Sequence, residues 1–133
     1  MVKIEKKQID RRRFIRVRAT LVTNFRVFCV LEEIDNPQLQ NISQGGLMFT
    51  SNQSLTIGQA LEIKLTVPAL EETIEFGGRV IWNDRTERKI SYNTGVAIAD
   101  IEPEDQEKLK QLVEKVLAAE KEEEEEEEEE KVE

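Results

Sequence analysis

The sequence contains no histidine, one cysteine and one tryptophan among its 133 residues, and aromatic residues make up only 5% of it. Without histidine the chain cannot build Ser-His-Asp or Cys-His catalytic groups, and it has no imidazole for acid–base chemistry or metal binding. The single cysteine, Cys29, cannot form an internal disulfide, which is typical of proteins in a reducing cytoplasm. We therefore expect no catalytic residues and no metal site.

Long apolar segments are also missing. No run approaches the roughly 20 residues that a membrane-spanning helix needs, and the charged N-terminus lacks the apolar core of a signal peptide. We expect a cytoplasmic chain that does not insert into membranes. A length of 133 residues fits a single domain, because two independent hydrophobic cores would be difficult to build from it.

The net charge of −9 is distributed unevenly along the chain. Residues 120–133 hold eleven Glu and two Lys, and so carry the whole negative excess. Residues 1–119 hold 17 bases and 17 acids, and within them residues 1–18 carry a net charge of +6. Clustered bases are typical of proteins that bind phosphate ligands, nucleic acids or anionic lipids, although a solubilising arm would carry the same charge.

Most of the sequence between these ends alternates between apolar and polar residues, which predicts β-strands. The alternation begins with a long predicted strand at 19–31, and Gly77-Gly78 predicts a bulge inside a later strand. Several short strands with glycine-rich corners favour a small β-barrel. After Pro103 the apolar residues instead follow the helical period, at Leu109, Leu112, Val113, Val116 and Leu117.

These patterns divide the chain into four predicted segments. A basic arm occupies residues 1–18 and a β-barrel follows at 19–101. A C-terminal amphipathic helix is predicted at 102–120. The acidic tail at 121–133 is expected to be disordered, because like charges four residues apart oppose a helix.

Three features could bind a ligand. Arg12-Arg13-Phe14-Ile15-Arg16, with Arg11 before it, offers guanidinium groups that fit phosphate oxygens and stack on flat bases. Asn41-Ile42-Ser43-Gln44-Gly45-Gly46 offers an amide, a hydroxyl and glycines that allow positive φ and a close approach of ligand to backbone. Trp82 is either a core residue or a stacking platform. Taken singly, the first two patterns also occur in ordinary basic arms and β-turns.

In combination, these features resemble the PilZ domain, the bacterial receptor module for cyclic di-GMP. The family pattern is R-x-x-x-R followed by [D/N]-x-S-x-x-G, and Asn41 stands where many members have Asp. The segments Gly78–Trp82 and Thr94–Ile98 and the C-terminal helix resemble the remainder of the domain. The resemblance covers about residues 8–118.

The resemblance implies a mainly β fold, with a six-stranded antiparallel β-barrel and one C-terminal amphipathic helix. It implies a non-catalytic cyclic di-GMP receptor without a cofactor, whose N-terminal arm is reordered by the ligand and signals to a protein partner. Two alternatives stay open: a degenerate PilZ-like adaptor, and a small nucleic-acid-binding barrel, which the acidic body and few aromatics disfavour. The implied ligand-binding residues are Arg11, Arg12, Arg16, Asn41, Ser43, Gly45, Gly46 and Trp82.

Overall fold

The computed structural model of the chain describes residues 14–30, 32–87 and 90–132, with side chains as far as Lys121. Eight strands form one antiparallel sheet in this part of the chain, and they are followed by one long helix, α1 (Pro103–Val132). A single turn of 3₁₀ helix, Pro68–Leu70, joins two of the strands. The strands are β1 (Val17–Arg18), β2 (Asn24–Cys29), β3 (Glu32–Glu33), β4 (Gln38–Ser43), β5 (Gly46–Ser51), β6 (Ala60–Val67), β7 (Glu72–Arg85) and β8 (Tyr92–Asp100).

The sheet is curled but open, with the strand order β1-β4-β5-β8-β7-β6-β2-β3. The prediction of a six-stranded barrel is therefore wrong in its strand count, because two strands of two residues each, β1 and β3, lie at the edges. The predicted long strand at 19–31 is also interrupted. The Val22 amide donates a hydrogen bond of 3.3 Å to the Ala19 carbonyl, which closes a turn, so β2 begins only at Asn24.

The core lies between the concave face of the sheet and α1. One row of residues crosses five strands at opposed positions, and each member is at most 3% exposed. We call it the inner row: Val17, Ile42, Leu47, Val96 and Val80. The predicted apolar stripe of the helix is confirmed, since Leu109, Leu112, Val113 and Val116 are each at most 3% exposed and Leu117 packs against the core.

The first turns of α1 are tied to the start of β7 by polar contacts. The Lys108 ammonium lies 3.1 Å from a Glu72 carboxylate oxygen, and the Glu75 amide donates to Asp105 Oδ1 at 3.4 Å. The hydrogen bond to Glu72 raises the pKa of Lys108 above its ordinary value. These contacts lie at the surface, so burial of the apolar stripe is the main source of helix stability.

The helix in the structure continues to Val132, beyond the predicted boundary at residue 120. Glutamate is a good helix former, and repulsion between like charges costs only a few tenths of a kcal/mol per pair. Across the described residues, no helix combines the length and the apolar character needed to span a bilayer.

Two bulges shape β7. The register against β8 shifts between Gly77 and Gly78, which confirms the predicted bulge, and shifts again between Val80 and Trp82. The second shift was not predicted. It places Ile81 outside the regular pairing, so that Arg79 lies opposite Ala97 while Trp82 lies opposite Gly95. The bulge thereby brings the tryptophan to the outer surface of the sheet.

Replacement of Leu112 by alanine should lower the free energy of unfolding by about 2–5 kcal/mol, because it leaves a cavity between helix and sheet. Denaturant titration measures this loss. The exposed neighbour Gln111 supplies the control, since Gln111→Ala should change stability by less than about 0.5 kcal/mol. Equal effects of the two substitutions would show that the helix does not cover the core.

Candidate ligand-binding surface

A second row of residues lies beside the inner row and faces the other side of the sheet, because side chains alternate along a strand. We call it the outer row: Arg18, Asn41, Met48, Gly95 and Trp82, at opposed positions on β1, β4, β5, β8 and β7. Arg18 is exposed, and Asn41, Met48 and Trp82 are half-buried. Residues that are distant in sequence therefore share one surface.

The arginine motif and the asparagine motif meet on this surface. Arg16 Nη1 donates a hydrogen bond of 2.7 Å to Asn41 Oδ1. The pairing of β1 with β4 explains the contact: Arg18 lies opposite Asn41, and Arg16 precedes it by two residues on the same face. The structure thus brings together two of the predicted site residues that are 25 positions apart.

Ser43 holds the corner between β4 and β5 together. Its hydroxyl accepts a hydrogen bond from the Gly45 amide at 3.1 Å and donates to the Gly46 carbonyl at 3.3 Å. The residue is only 4% exposed. The hydroxyl therefore fixes the shape of the turn from inside and does not project into the solvent.

The sequence suggested that Gly45 and Gly46 adopt a positive φ, but neither does; among the glycines only Gly58 has a positive φ, at 91°. Their lack of a side chain instead serves close packing. A Cβ atom on Gly45 would lie 2.7 Å from Phe14 Cδ2. A Cβ atom on Gly46 would collide with the backbone carbonyl of Val96 on β8. The two glycines thus allow the arm and the neighbouring strand to approach the corner.

Trp82 lies on the outer face of the sheet, because it pairs with Gly95 of the outer row. Its indole covers Gly95, where any Cβ atom would meet Nε1, Cε2 and Cδ1 of the ring. The side chain is half-buried. Part of the indole is consequently accessible to solvent at the end of the outer row.

Positive charge borders the other end of the row. Arg16 and Arg18 are both exposed, and Arg18 Nε lies 3.4 Å from Glu120 Oε1 on α1. The Arg18 side chain is 70% exposed, so solvent screens this ion pair and the pair is weak. The predicted site residues Arg11 and Arg12 lie outside the described residues.

Two concave regions among the described residues lie away from the outer row. One, of about 490 Å³, separates β2 from β4, and another, of about 350 Å³, lies between β6, β7 and the start of α1. Neither contains a predicted site residue. Within the described ranges, no group of acidic or cysteine side chains is arranged to hold a metal ion.

A family model described as the PilZ domain matches residues 10–115 of the sequence. This chain belongs to the PilZ domain family. None of the curated proteins matches the sequence at a significant level.

Three solved structures resemble the fold. The PilZ domain of YcgR from Escherichia coli, solved with c-di-GMP, shares 14% identity at a TM-score of 0.59, with 85% of this chain and 96% of that chain covered. The YcgR complex with c-di-GMP shares 16% identity at a TM-score of 0.69, with coverage of 87% and 50%. The Bacillus subtilis inhibitor of motility MotI/DgrA shares 23% identity at a TM-score of 0.63, with coverage of 74% and 47%. This PilZ chain spans about half the length of MotI/DgrA and of the longer YcgR chain.

Sequence reasoning missed three members of the outer row: Arg18, Met48 and Gly95. The alternation of Tyr92, Val96 and Ile98 does indicate that Gly95 faces the opposite side of its strand. Its contact with Trp82 depends on the register between β7 and β8, which a bulge shifts. No local pattern in the sequence reports that register.

Gly46→Ala should destabilise the PilZ domain by about 1–3 kcal/mol, because the added methyl group collides with backbone that cannot rotate away. Thermal or denaturant unfolding measures the loss. Gly77→Ala is the matched control, because its Cβ would find its nearest neighbour at an ordinary 3.5 Å. A Gly46 variant as stable as the Gly77 variant would contradict the packing described for the corner.

Proposed function

We propose that this PilZ chain is a non-catalytic receptor for cyclic di-GMP. The observation that carries the proposal is the 2.7 Å hydrogen bond between Arg16 and Asn41, which joins the two motif segments on one open surface. Membership of the PilZ family and the likeness of the fold to a c-di-GMP-bound YcgR domain support it. The lack of histidine agrees with a binding function.

The chemistry of the ligand fits the charges on the outer surface. Cyclic di-GMP carries two phosphates and two guanines. Arginine guanidinium groups pair with phosphate oxygens and hydrogen-bond to guanine O6 and N7, which is the role proposed for Arg11, Arg12 and Arg16. Arg16 already contacts Asn41, whose amide is uncharged and so leaves the guanidinium charge uncompensated. The Asn41 amide oxygen can accept a hydrogen bond from guanine as the aspartate of many family members would, without placing a negative charge near the phosphates.

The corner and the tryptophan complete the proposed site. Gly45 and Gly46 let Phe14 of the arm and strand β8 pack closely against the corner, which would bring the arm to the ligand, and the buried hydroxyl of Ser43 holds the turn in place. Ser43 therefore acts as a positioning residue in this proposal. Trp82 supplies an aromatic face for one guanine, and base–aromatic stacking contributes about 1–3 kcal/mol.

Calorimetric titration of the full chain with cyclic di-GMP tests the proposal and gives the stoichiometry. Arg16→Ala should weaken binding by about 10- to 100-fold, since a charge-assisted hydrogen bond contributes about 1.5–3 kcal/mol. Lys7→Ala removes one charge from the same arm outside the motif and should weaken binding much less. Absence of binding would overturn the proposed function, and equal losses in the two variants would show that the arm acts only through its total charge.

We also propose that the ligand orders the N-terminal arm and that the ordered arm presents a new surface to a protein partner. The structure describes this arm only from Phe14, where it contacts the corner, and β1 pairs through Val17 and Arg18. Arg11 and Arg12 would gain fixed partners when the phosphates bind. Binding and ordering would then be coupled.

Backbone NMR relaxation of residues 5–16, with and without cyclic di-GMP, tests the ordering. Fast motion should decrease in residues 5–13 when the ligand is added, because the arginines become tied to its phosphates. Residues of β1, already paired with β4, serve as the internal reference. Relaxation that is unchanged across the arm at saturation would contradict a ligand-ordered switch.

A further inference from the structure

The outer row contains one position without a side chain, Gly95, and the indole of Trp82 fills the space above it. The glycine is buried although it belongs to the outer face, while the remaining row members are exposed or half-buried. A Cβ atom at Gly95 would meet three atoms of the five-membered ring together, Nε1, Cε2 and Cδ1. Simultaneous contact with three ring atoms means that the ring lies face down on the strand.

This placement moves the aromatic ring towards the rest of the proposed site. Neighbouring strands lie about 4.8 Å apart. The backbone of Trp82 is three strand spacings from that of Asn41, whereas the backbone of Gly95 is only two spacings from it. By lying over Gly95, the ring is shifted from β7 onto β8, whose other neighbour, β5, carries Met48. Trp82 is half-buried, so part of the indole stays accessible to solvent.

We infer that Gly95 is the positioning residue that makes Trp82 a stacking platform for one base of the ligand. The inference rests on the proposed function and adds a residue that lies outside both family motifs. Met48 is the only outer-row residue between Gly95 and Asn41, and its flexible, polarisable thioether makes favourable contacts with aromatic rings. A base stacked on the exposed side of the indole therefore has Met48 next to it, in the direction of the Asn41 amide.

The geometry explains why glycine is required here. Any side chain at residue 95 occupies the volume of the ring, and the ring must then rotate about its side-chain bonds towards solvent. Rotation removes the aromatic face from the row but leaves Arg16, Asn41 and Ser43 untouched. A change at Gly95 should therefore weaken ligand binding through Trp82 alone.

Trp82 is the only tryptophan in the chain, so its fluorescence reports on this one ring. Gly95→Ala should shift the emission of the ligand-free protein, because the indole leaves the surface of the strand. The same variant should bind cyclic di-GMP about 5- to 100-fold more weakly, which corresponds to the loss of one base–aromatic stack. Gly77→Ala, which has ordinary space for a methyl group, should change neither quantity.

A double-mutant cycle separates positioning from a general structural effect. Trp82→Leu keeps an apolar side chain over Gly95 without a stacking face, and should lose as much affinity as Gly95→Ala. In the Trp82→Leu background, Gly95→Ala should cause no further loss. Gly95→Ala combined with Arg16→Ala should instead show additive losses, since those two residues act on different parts of the ligand.

Wild-type affinity in Gly95→Ala, or losses that add fully in the Gly95→Ala/Trp82→Leu protein, would overturn the inference. Wild-type affinity in Trp82→Leu would overturn it as well, and this test holds even if Gly95→Ala fails to fold. If the wild-type chain does not bind cyclic di-GMP, the proposed function fails. The emission of Gly95→Ala still tests the placement of the ring in that case, and unshifted emission shows that the placement is wrong.

Discussion

Burial of Val17 against Ile42 determines where the arginines of the N-terminal arm lie. Val17 is 3% exposed, and it is the first member of the inner row. Because side chains alternate along a strand, one buried residue in β1 directs both of its neighbours to the outer face. A slip of one residue in the pairing of β1 with β4 would turn Arg16 and Arg18 into the core and expose Val17. A strand of two residues thereby determines which face of the sheet Arg16 and Arg18 occupy.

The same alternation explains which parts of the fold can be predicted from the sequence. Strands such as β6, where Leu61, Ile63 and Leu65 alternate with charged or polar residues, are unmistakable, and so is the helical stripe that contains Leu109 and Leu112. Strands of two residues are too short to show a period, so β1 and β3 were missed, and the six-stranded barrel implied by the family resemblance did not include them. The turn at Ala19 was missed because apolar residues continue through it.

In the candidate site, only the residues that belong to the sequence motifs could be predicted. The motif pattern indicated Arg16, Asn41 and Ser43, and the structure adds how two of them meet and why the third is buried. The Trp82–Gly95 contact arises from a bulge that shifts one strand against another, and such non-local register leaves no trace in the residues themselves. The glycines of the corner were recognised, but their purpose is close packing rather than an unusual backbone conformation.

The ion pair between Arg18 and Glu120 has a consequence for how the arm and the helix are coupled. It joins two side chains that are 102 positions apart in the sequence, one on β1 and the other on α1, at 3.4 Å. Because α1 also packs against β1 and β4, the helix contacts both the strand that follows the arginine motif and the strand that carries Asn41. A displacement of α1 would therefore be transmitted directly to the strand that directs Arg16 and Arg18 to the outer face.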